Sequence, residues 1–454
     1  MVVAPAPMGL GYLSSALKTR RGDTTRIVDG RRYRLSGAAL LAEAERFQPE
    51  AIGITAMSFE APEATDLIRR LKQRWPEVPV ILGGPHATGC GPALLEACAA
   101  DYLVLGEGED ALVELLDALE GKGELGGVRG VARREQGKVV DAGPRSGCVE
   151  LSELEVDWEG INPPAYFSWW RRNAMNTIAR SKRRLPVFTS RGCPFGCAYC
   201  HHIFGRTYRT FPVEKTVAEM LRLRDRYRLG EFEIIDDTFN LKLEHSKAVM
   251  REIIRRGVAT PLAFSNGLRA DRMDDELLDL MRRAPTFRVD YAIESASPRI
   301  QKMMHKNLNL ERAREVVKQT AATGIVTGAY YILGFPGESE DEMMATLEYA
   351  GSLPNHIASF FYLMPFPGTE VAEAAAGRRE ELRGLTFRDA SDIVINLSAV
   401  PDPVLRRLKQ TGYRRFYFSL RRMARIARDV PKNPPLLIAA IAALRLSFQE
   451  AVNY

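Results

Sequence analysis

Cysteine is scarce in this chain. Six are spread through 454 residues, too few and too scattered for the disulfide framework of a small secreted fold. An excess of one charge is missing too: 63 Lys and Arg stand against 57 Asp and Glu, a formal net charge of +6. At this length, and without a long basic run, that balance calls for no nucleic-acid partner. The first residues, "MVVAPAPMGLGYL", lack the charged region, long apolar stretch and small-residue cleavage site of a secretory signal. One apolar run, "PPLLIAAIAAL" at 434–444, is too short to span a bilayer. It follows "RRFYFSLRRMARIAR", basic and amphipathic if helical. A C-terminal helix packed on the body is expected there, with reversible contact with a membrane surface or a lipid substrate as the alternative. These absences leave a cytoplasmic protein with reduced thiols.

What is present divides into two α/β series. A chain of 454 residues exceeds one ordinary core, so two or three domains are expected. Hydrophobic residues make up 46% and charged residues 26%, a globular balance. In residues 1–144, "TRIVD" (25–29), "AIGITA" (51–56), "VPVILGG" (78–84) and "DYLVLGEGE" (101–109) predict buried parallel strands with helices between them. Such alternation predicts a doubly wound, Rossmann- or flavodoxin-like α/β domain, with its ligand at the carboxyl ends of the strands. A hairpin turning at Gln136-Gly137 closes it. The first strand is only "VVA" before Pro5, which puts the start of the chain slightly late.

A connector over 145–185 carries Trp169 and Trp170, read as packing residues, with lining of a cofactor cleft as the alternative. Over 186–375 a second series runs through "PVFTSRG", "EFEIIDDTF", "LAFSNGLRAD", "RVDYAIESAS", "TGAYYILGFPGES" and "IASFFYLMPFPGT". Six βα units predict a partial (β/α)6 barrel of TIM type, with its site at the C-terminal strand ends. Asn309 is placed to cap the helix "LERAREVVKQTAATG" and Gly324 to stop it. Residues 376–454 read as a basic helical region.

Half of the cysteines fall within eight positions, in "SRGCPFGCAYCHH" at 190–202. Thiolates are soft ligands that suit iron–sulfur clusters or zinc. The spacing C-x3-C-x2-C sets Cys193, Cys197 and Cys200 on one short turn. Gly192, Pro194 and Gly196 keep that turn tight and let the backbone approach what is bound. Structural zinc takes four closed ligands, and His201 or His202 would complete a Cys3His set. A zinc-bearing binding module is therefore the non-enzymatic alternative. Against it stands the place of the cysteines at the head of a six-unit barrel, because zinc modules are small and autonomous.

In that setting the stretch resembles the radical S-adenosylmethionine (SAM) superfamily, whose C-x3-C-x-aromatic-C motif is met by Cys193, Cys197, Tyr199 and Cys200. The resemblance implies three thiolates on three irons of a [4Fe–4S] cluster, the fourth iron being left for the amino and carboxylate groups of SAM. It implies Asp236 or Asp237 at the SAM amino group, Glu294 and Ser295 at the ribose, and Gly334 in the glycine-containing SAM segment. Upstream, "PMGLGYLSSALKTR", "GITAMS", "GGPHAT" and "GEGEDAL" resemble the cobalamin-binding domain that precedes many radical SAM barrels. The implied cobalamin contacts are Gly9 and Leu10, Thr55 and Ser58, Gly83, Gly84, Pro85 and His86, and Gly106 with Glu107. The motif D-x-H-x-x-G, which gives cobalt a histidine on its lower face, is absent: no histidine precedes His86, and Asp29 is followed by Gly-Arg-Arg. Cobalamin without a protein histidine below it is the expectation.

Enzymes of this kind take an electron from a flavodoxin or ferredoxin, cleave SAM to a 5′-deoxyadenosyl radical and remove hydrogen from a substrate carbon. The resemblance thus implies methylation of an unactivated carbon from cobalamin, on a small-molecule or lipid substrate. A non-methylating radical cyclase, oxidase or rearrangement enzyme is the alternative within the family. Methylthiolation fits poorly, because Cys90, Cys98 and Cys148 lack the context of a second cluster and read as packing or surface residues. Tyr330, Tyr331, Phe360, Phe361 and Tyr362 read mostly as barrel core. Arg269 reads as either cavity-facing or capping, and His201 and His202 as neighbours of the cluster.

Overall fold

The computed structural model describes residues 6–145, 147–168, 178–378 and 393–433. The short "VVA" start, Trp169 and Trp170, and the apolar run 434–444 lie outside the described residues. A five-stranded sheet comes first, built from β1 (Ile52–Thr55), β2 (Val80–Gly83), β3 (Tyr102–Val104), β4 (Val131–Glu135) and β5 (Lys138–Asp141), in that spatial order. The first three strands are parallel, with Thr55 beside Gly83 and Leu82 beside Leu103. β4 and β5 run antiparallel. The parallel strands are apolar on both faces because helices cover both. Leu82 and Leu103 pack with Ile68 and Leu71 of the helix Ala61–Arg74, while Ile81 and Val104 pack with Leu112 and Leu115 of the helix Glu109–Leu119. The β4–β5 hairpin turns where expected: Gln136 and Gly137 have φ of 47° and 80°, the left-handed pair that a two-residue I′ turn requires.

One expected strand does not form. Residues 25–29 pair with no other strand among the described residues. Ile27 packs instead against the core of the second sheet, and the Asp29 carboxylate accepts bonds from Arg32 N and Tyr166 OH, both at 2.8 Å. Its apolar alternation is satisfied by tertiary packing rather than by a ladder.

The second sheet contains β6 (Arg184–Val187), β9 (Glu231–Ile234), β10 (Leu262–Leu268), β11 (Thr286–Glu294), β12 (Val326–Leu333) and β13 (Ile357–Tyr362). Each strand lies parallel to the next in the order β13-β12-β11-β10-β9-β6. Helices follow the strands and shield them, as in an open six-stranded barrel. Phe232, Phe264, Val289 and Leu333 of the sheet join Met220, Met250, Val316 and Leu347 of the helices in one core. The stretch "PVFTSRG" is interrupted: β6 ends at Val187, and β7 (Ser190–Arg191) pairs with β8 (Arg209–Thr210) to frame the cysteine loop. Asn309 caps the helix Leu310–Ala322 by accepting from Arg312 N at 3.0 Å, a contact that contributes about 1 kcal/mol.

The open edge at β13 is covered from the C-terminal side. Tyr413 and Tyr417 of the helix Asp402–Tyr417 receive the N–H groups of Phe360 and Ala358, each at 3.2 Å, so the edge offers fewer free donors to another chain. The helix Leu420–Asp429 follows, and Arg422 reaches the carbonyls of Gly351, Leu353 and Asn355. Among the described residues no helix is long and apolar enough to cross a membrane.

Candidate active site between the strand ends

The carboxyl ends of the two sets of parallel strands approach each other. The helix Gly84–Cys90, which follows β2, meets the loop that follows β13. A Cβ on Gly89 would lie 2.4 Å from Pro367 O, and one on Gly368 would lie 2.6 Å from Gly89 O. Nearby, the His201 ring packs 4.9 Å from Phe366. Gly106, after β3, has φ of 78°, and an added Cβ would meet only Ile203 O, at 4.0 Å. That left-handed, uncrowded turn is a backbone cradle open to a ligand.

The cysteine loop is folded by its own backbone. Cys193 N donates to Gly205 O, Cys200 N to Cys197 O and Ala198 N to Met304 O, at 3.2, 3.1 and 3.2 Å. Gly192 has φ of 85°, and a Cβ there would lie 2.2 Å from Thr207 O. The three thiols consequently feel one another. Burial, then Cys197 and Cys193, pushes the Cys200 thiol up to about 12. Burial also raises Cys197, against the opposing charge of Lys306. Soft cations reverse such shifts by taking the thiolates as ligands. Among the described residues no three His, Cys, Asp or Glu side chains converge as a single ion requires. A cluster asks for something else, one thiolate on each of three irons, and the donor set fits it.

The two expected aspartates part company. Asp236 is buried and accepts from Thr189 N, Thr189 Oγ1 and Ser190 Oγ at 2.6, 2.5 and 2.6 Å. Burial pushes it up to about 6 against those bonds. Asp237 is exposed and accepts Gly192 N at 2.8 Å. Glu294 ends β11 beyond a register shift, with φ of 69°. A left-handed glutamate is a local strain of the kind that gathers at functional sites. Lys306 Nζ lies 3.1 Å from Glu294 Oε1 and 3.4 Å from Tyr199 OH. Ser295 is buried and turned inward, with Oγ 3.2 Å from Thr346 Oγ1. Gly334, with φ of 101°, and Phe335 both donate their N–H to Glu338 Oε2, at 2.7 and 3.0 Å. Burial raises that carboxyl to about 7.

The remaining candidates also take defined places. Thr55 ends β1, Gly83 ends β2, and Gly84-Pro85-His86 open the next helix. Gly84 has φ of 85°, and a Cβ there would lie 2.3 Å from Thr55 Oγ1, so these two answer each other before any ligand. His86 Nδ1 is 3.3 Å from the buried Ser58 Oγ, and burial lowers its pKa. Gly9 and Leu10 lie on the helix Met8–Arg21. Glu107 is engaged by Arg191 and Arg209, each at 2.9 Å. Cys98 is buried, Cys90 half-buried and Cys148 exposed. Arg269 is buried over the Phe195 ring at 4.2 Å and bonds Asp271 and Lys306 O. Tyr331 and Phe360 stack at 5.3 Å, and Tyr413 meets Phe360 edge-on at 5.2 Å. Tyr330 OH bonds Asp290 and Ser265 O, both at 2.6 Å.

Sequence reasoning passed over Lys306, Arg191 and Glu338. Glu338 lies in the quoted "GFPGES" segment and was within reach. Lys306 stands in "MMHKNLN", where no spacing marks it.

A three-thiol loop on a six-stranded parallel barrel, facing the strand ends of a second α/β sheet, defines an enzyme of radical SAM type with an α/β partner domain. The family models agree: residues 187–350 match the Radical SAM superfamily and residues 4–116 the B12 binding domain. Cytidylyl-2-hydroxyethylphosphonate methyltransferase of Streptomyces wedmorensis is 30% identical over 87% of this chain and 83% of its own length. An uncharacterised methyltransferase of Pyrococcus horikoshii is 29% identical over 90% and 87%. The anaerobic magnesium-protoporphyrin IX monomethyl ester cyclase of Rubrivivax gelatinosus is 25% identical over 91% and 74%. Among solved structures, the radical SAM methyltransferase TsrM of Kitasatospora setae, with cobalamin and a [4Fe–4S] cluster bound, shares the fold. It has a TM-score of 0.68 and 21% identity, over 92% of this chain and 80% of that one. The chain belongs to the cobalamin-dependent radical SAM enzymes, whose cofactors are SAM, a [4Fe–4S] cluster and cobalamin.

Proposed function

We propose that this chain methylates an unactivated carbon of a small molecule, with Cys193, Cys197 and Cys200 holding the cluster. The carrying observation is the apposition of the three-thiol loop to the carboxyl edge of the N-terminal sheet; it supports a reading in which radical generation and methyl supply face each other there. Bound there, the cluster and SAM supply a 5′-deoxyadenosyl radical, and cobalamin supplies the methyl group. In this reading residues 1–144 form the cobalamin-binding domain and 186–375 the barrel. Residues 145–185 join them, and the helical region 376–454 follows. An electron carrier of flavodoxin or ferredoxin type feeds the cluster.

The chain's own residues bind and orient. Asp237, exposed and anchored by Gly192 N, is suited to accept from the amino group of SAM. Asp236 spends its oxygens on Thr189 and Ser190 and braces the loop from behind. Lys306, beside Glu294 and Tyr199, offers a cation to the SAM carboxylate. Glu294 keeps an acceptor for the ribose hydroxyls, and Ser295 and Gly334 shape the backbone around the nucleoside.

SAM carrying a deuterated methyl group tests the reaction. The label is expected in the product. An unlabelled product moves the enzyme to the second reading, radical cyclisation or oxidation, which the likeness to the cyclase favours. Cobalt in this reading has no protein histidine below it, since the D-x-H-x-x-G motif is absent. Electron paramagnetic resonance of the Co(II) form is expected to show no nitrogen superhyperfine splitting that changes on 15N-labelling of the protein.

A further inference from the structure

One guanidinium joins the two sheets at the root of the cysteine loop. Arg191 ends β7, two positions before Cys193, and is 1% exposed. Its Nη1 donates to Glu107 Oε1 at 2.9 Å and to Glu109 Oε1 at 2.8 Å. Both glutamates follow β3 in the N-terminal sheet, and Glu109 begins the helix Glu109–Leu119. Arg209 Nη2, on the paired strand β8, meets Glu107 Oε2 at 2.9 Å. Aromatic rings enclose the Arg191 guanidinium: Tyr12 at 4.4 Å from the N-terminal helix, and Phe204 at 4.7 Å and Phe188 at 5.8 Å from the barrel side.

A buried ion pair of this kind is a weak source of net stability, because desolvation offsets the attraction. It is strong in another respect: a planar guanidinium shared between two carboxylates fixes their relative place. Here it fixes Gly106-Glu107, at the end of β3, against Gly192-Cys193, at the start of the cysteine loop. Two arginines face two glutamates in the clasp.

We propose that Arg191 is a positioning residue, which with Glu107, Glu109 and Arg209 sets the separation between the cysteine loop and the cobalamin-facing edge of the first sheet. The Glu107 carboxylate then belongs to this clasp. The inference rests on the cofactor reading above. It differs in what it assigns, which is the contact between the two sheets.

The test uses full-length protein reconstituted with iron, sulfide and cobalamin. Wild type must first cleave SAM to 5′-deoxyadenosine; failure at that step overturns the cofactor reading and leaves the clasp to be judged by amide exchange alone. Arg191→Met keeps most of the side-chain volume without the charge, and Glu107→Gln is the milder variant should the first fail to fold. Deuterium uptake is read by mass spectrometry over residues 105–109 and 192–200. Uptake is expected to rise in both segments together in either variant. Methyl transfer from SAM to the reduced cobalamin is expected to fall about 100-fold, the effect of a small misplacement, and SAM affinity by much less. The double variant Arg191→Met with Glu107→Gln is expected to lose less than the sum of the two single losses, because the Arg191–Glu107 pair is common to both. Loosening of one segment only overturns the proposal. So does a parallel loss of SAM affinity, methyl transfer and melting temperature, which would mark Arg191 as a fold anchor.

Discussion

Lys306 stands within hydrogen-bonding reach of both Glu294 and Tyr199. Its ammonium is buried, and a buried cation is kept where an anion answers it. Glu294 answers part of that charge, and a substrate carboxylate would answer the rest. Lys306→Met is therefore expected to weaken SAM binding about tenfold or more, since a bond to a charged group is worth about 1.5–3 kcal/mol. Equilibrium dialysis against the reconstituted protein measures this, with iron content unchanged as the control. At this scale the sequence was only partly legible. The cysteines announced themselves by spacing. Lys306 did not, because its partner Glu294 is brought to it by a strand end and a turn rather than by a repeat.

At the scale of elements, the cysteine loop depends on one backbone conformation. Gly192 is left-handed, and a Cβ would lie 2.2 Å from a backbone oxygen that cannot swing away. Gly192→Ala is expected to cost about 1–3 kcal/mol and to lower both the melting temperature and the iron retained after anaerobic reconstitution. Five barrel strands were readable from apolar runs bounded by turn residues, and the Gln136-Gly137 hairpin from its turn chemistry; the first run breaks after Val187, where β7 leaves to pair with β8. The segment 25–29 was misleading for the opposite reason. Its alternation is real, but the core of the second sheet claims Ile27, and a strand forms only where a neighbour offers a ladder.

At the scale of the whole molecule, His356 ties the foot of β12 to the C-terminal helices. Thr327 N donates to Nδ1 at 3.0 Å, so Nε2 carries the proton and donates to Asp429 Oδ2 at 3.0 Å. Burial lowers the His356 pKa, against the Asp429 charge that would raise it. A histidine lowered in the folded state binds fewer protons there than in the unfolded chain. Its contribution is complete above about pH 6.5, the unfolded value, and is lost as pH falls below it. Melting temperature is therefore expected to drop on going from pH 7.5 to 5.5 by more in wild type than in His356→Asn. Equal slopes in the two proteins would show that the tie does not titrate.

Local order determined a great deal without any structure: two α/β series and a turn with three soft ligands. Spacing and periodicity record what neighbours in the chain require of one another. They hold no information on which of two adjacent aspartates turns inward, on a lysine brought to Tyr199 from the turn between two helices, or on an arginine that crosses between sheets. Those choices were made by packing, where burial forces each charge to find the partner that the fold has placed within reach.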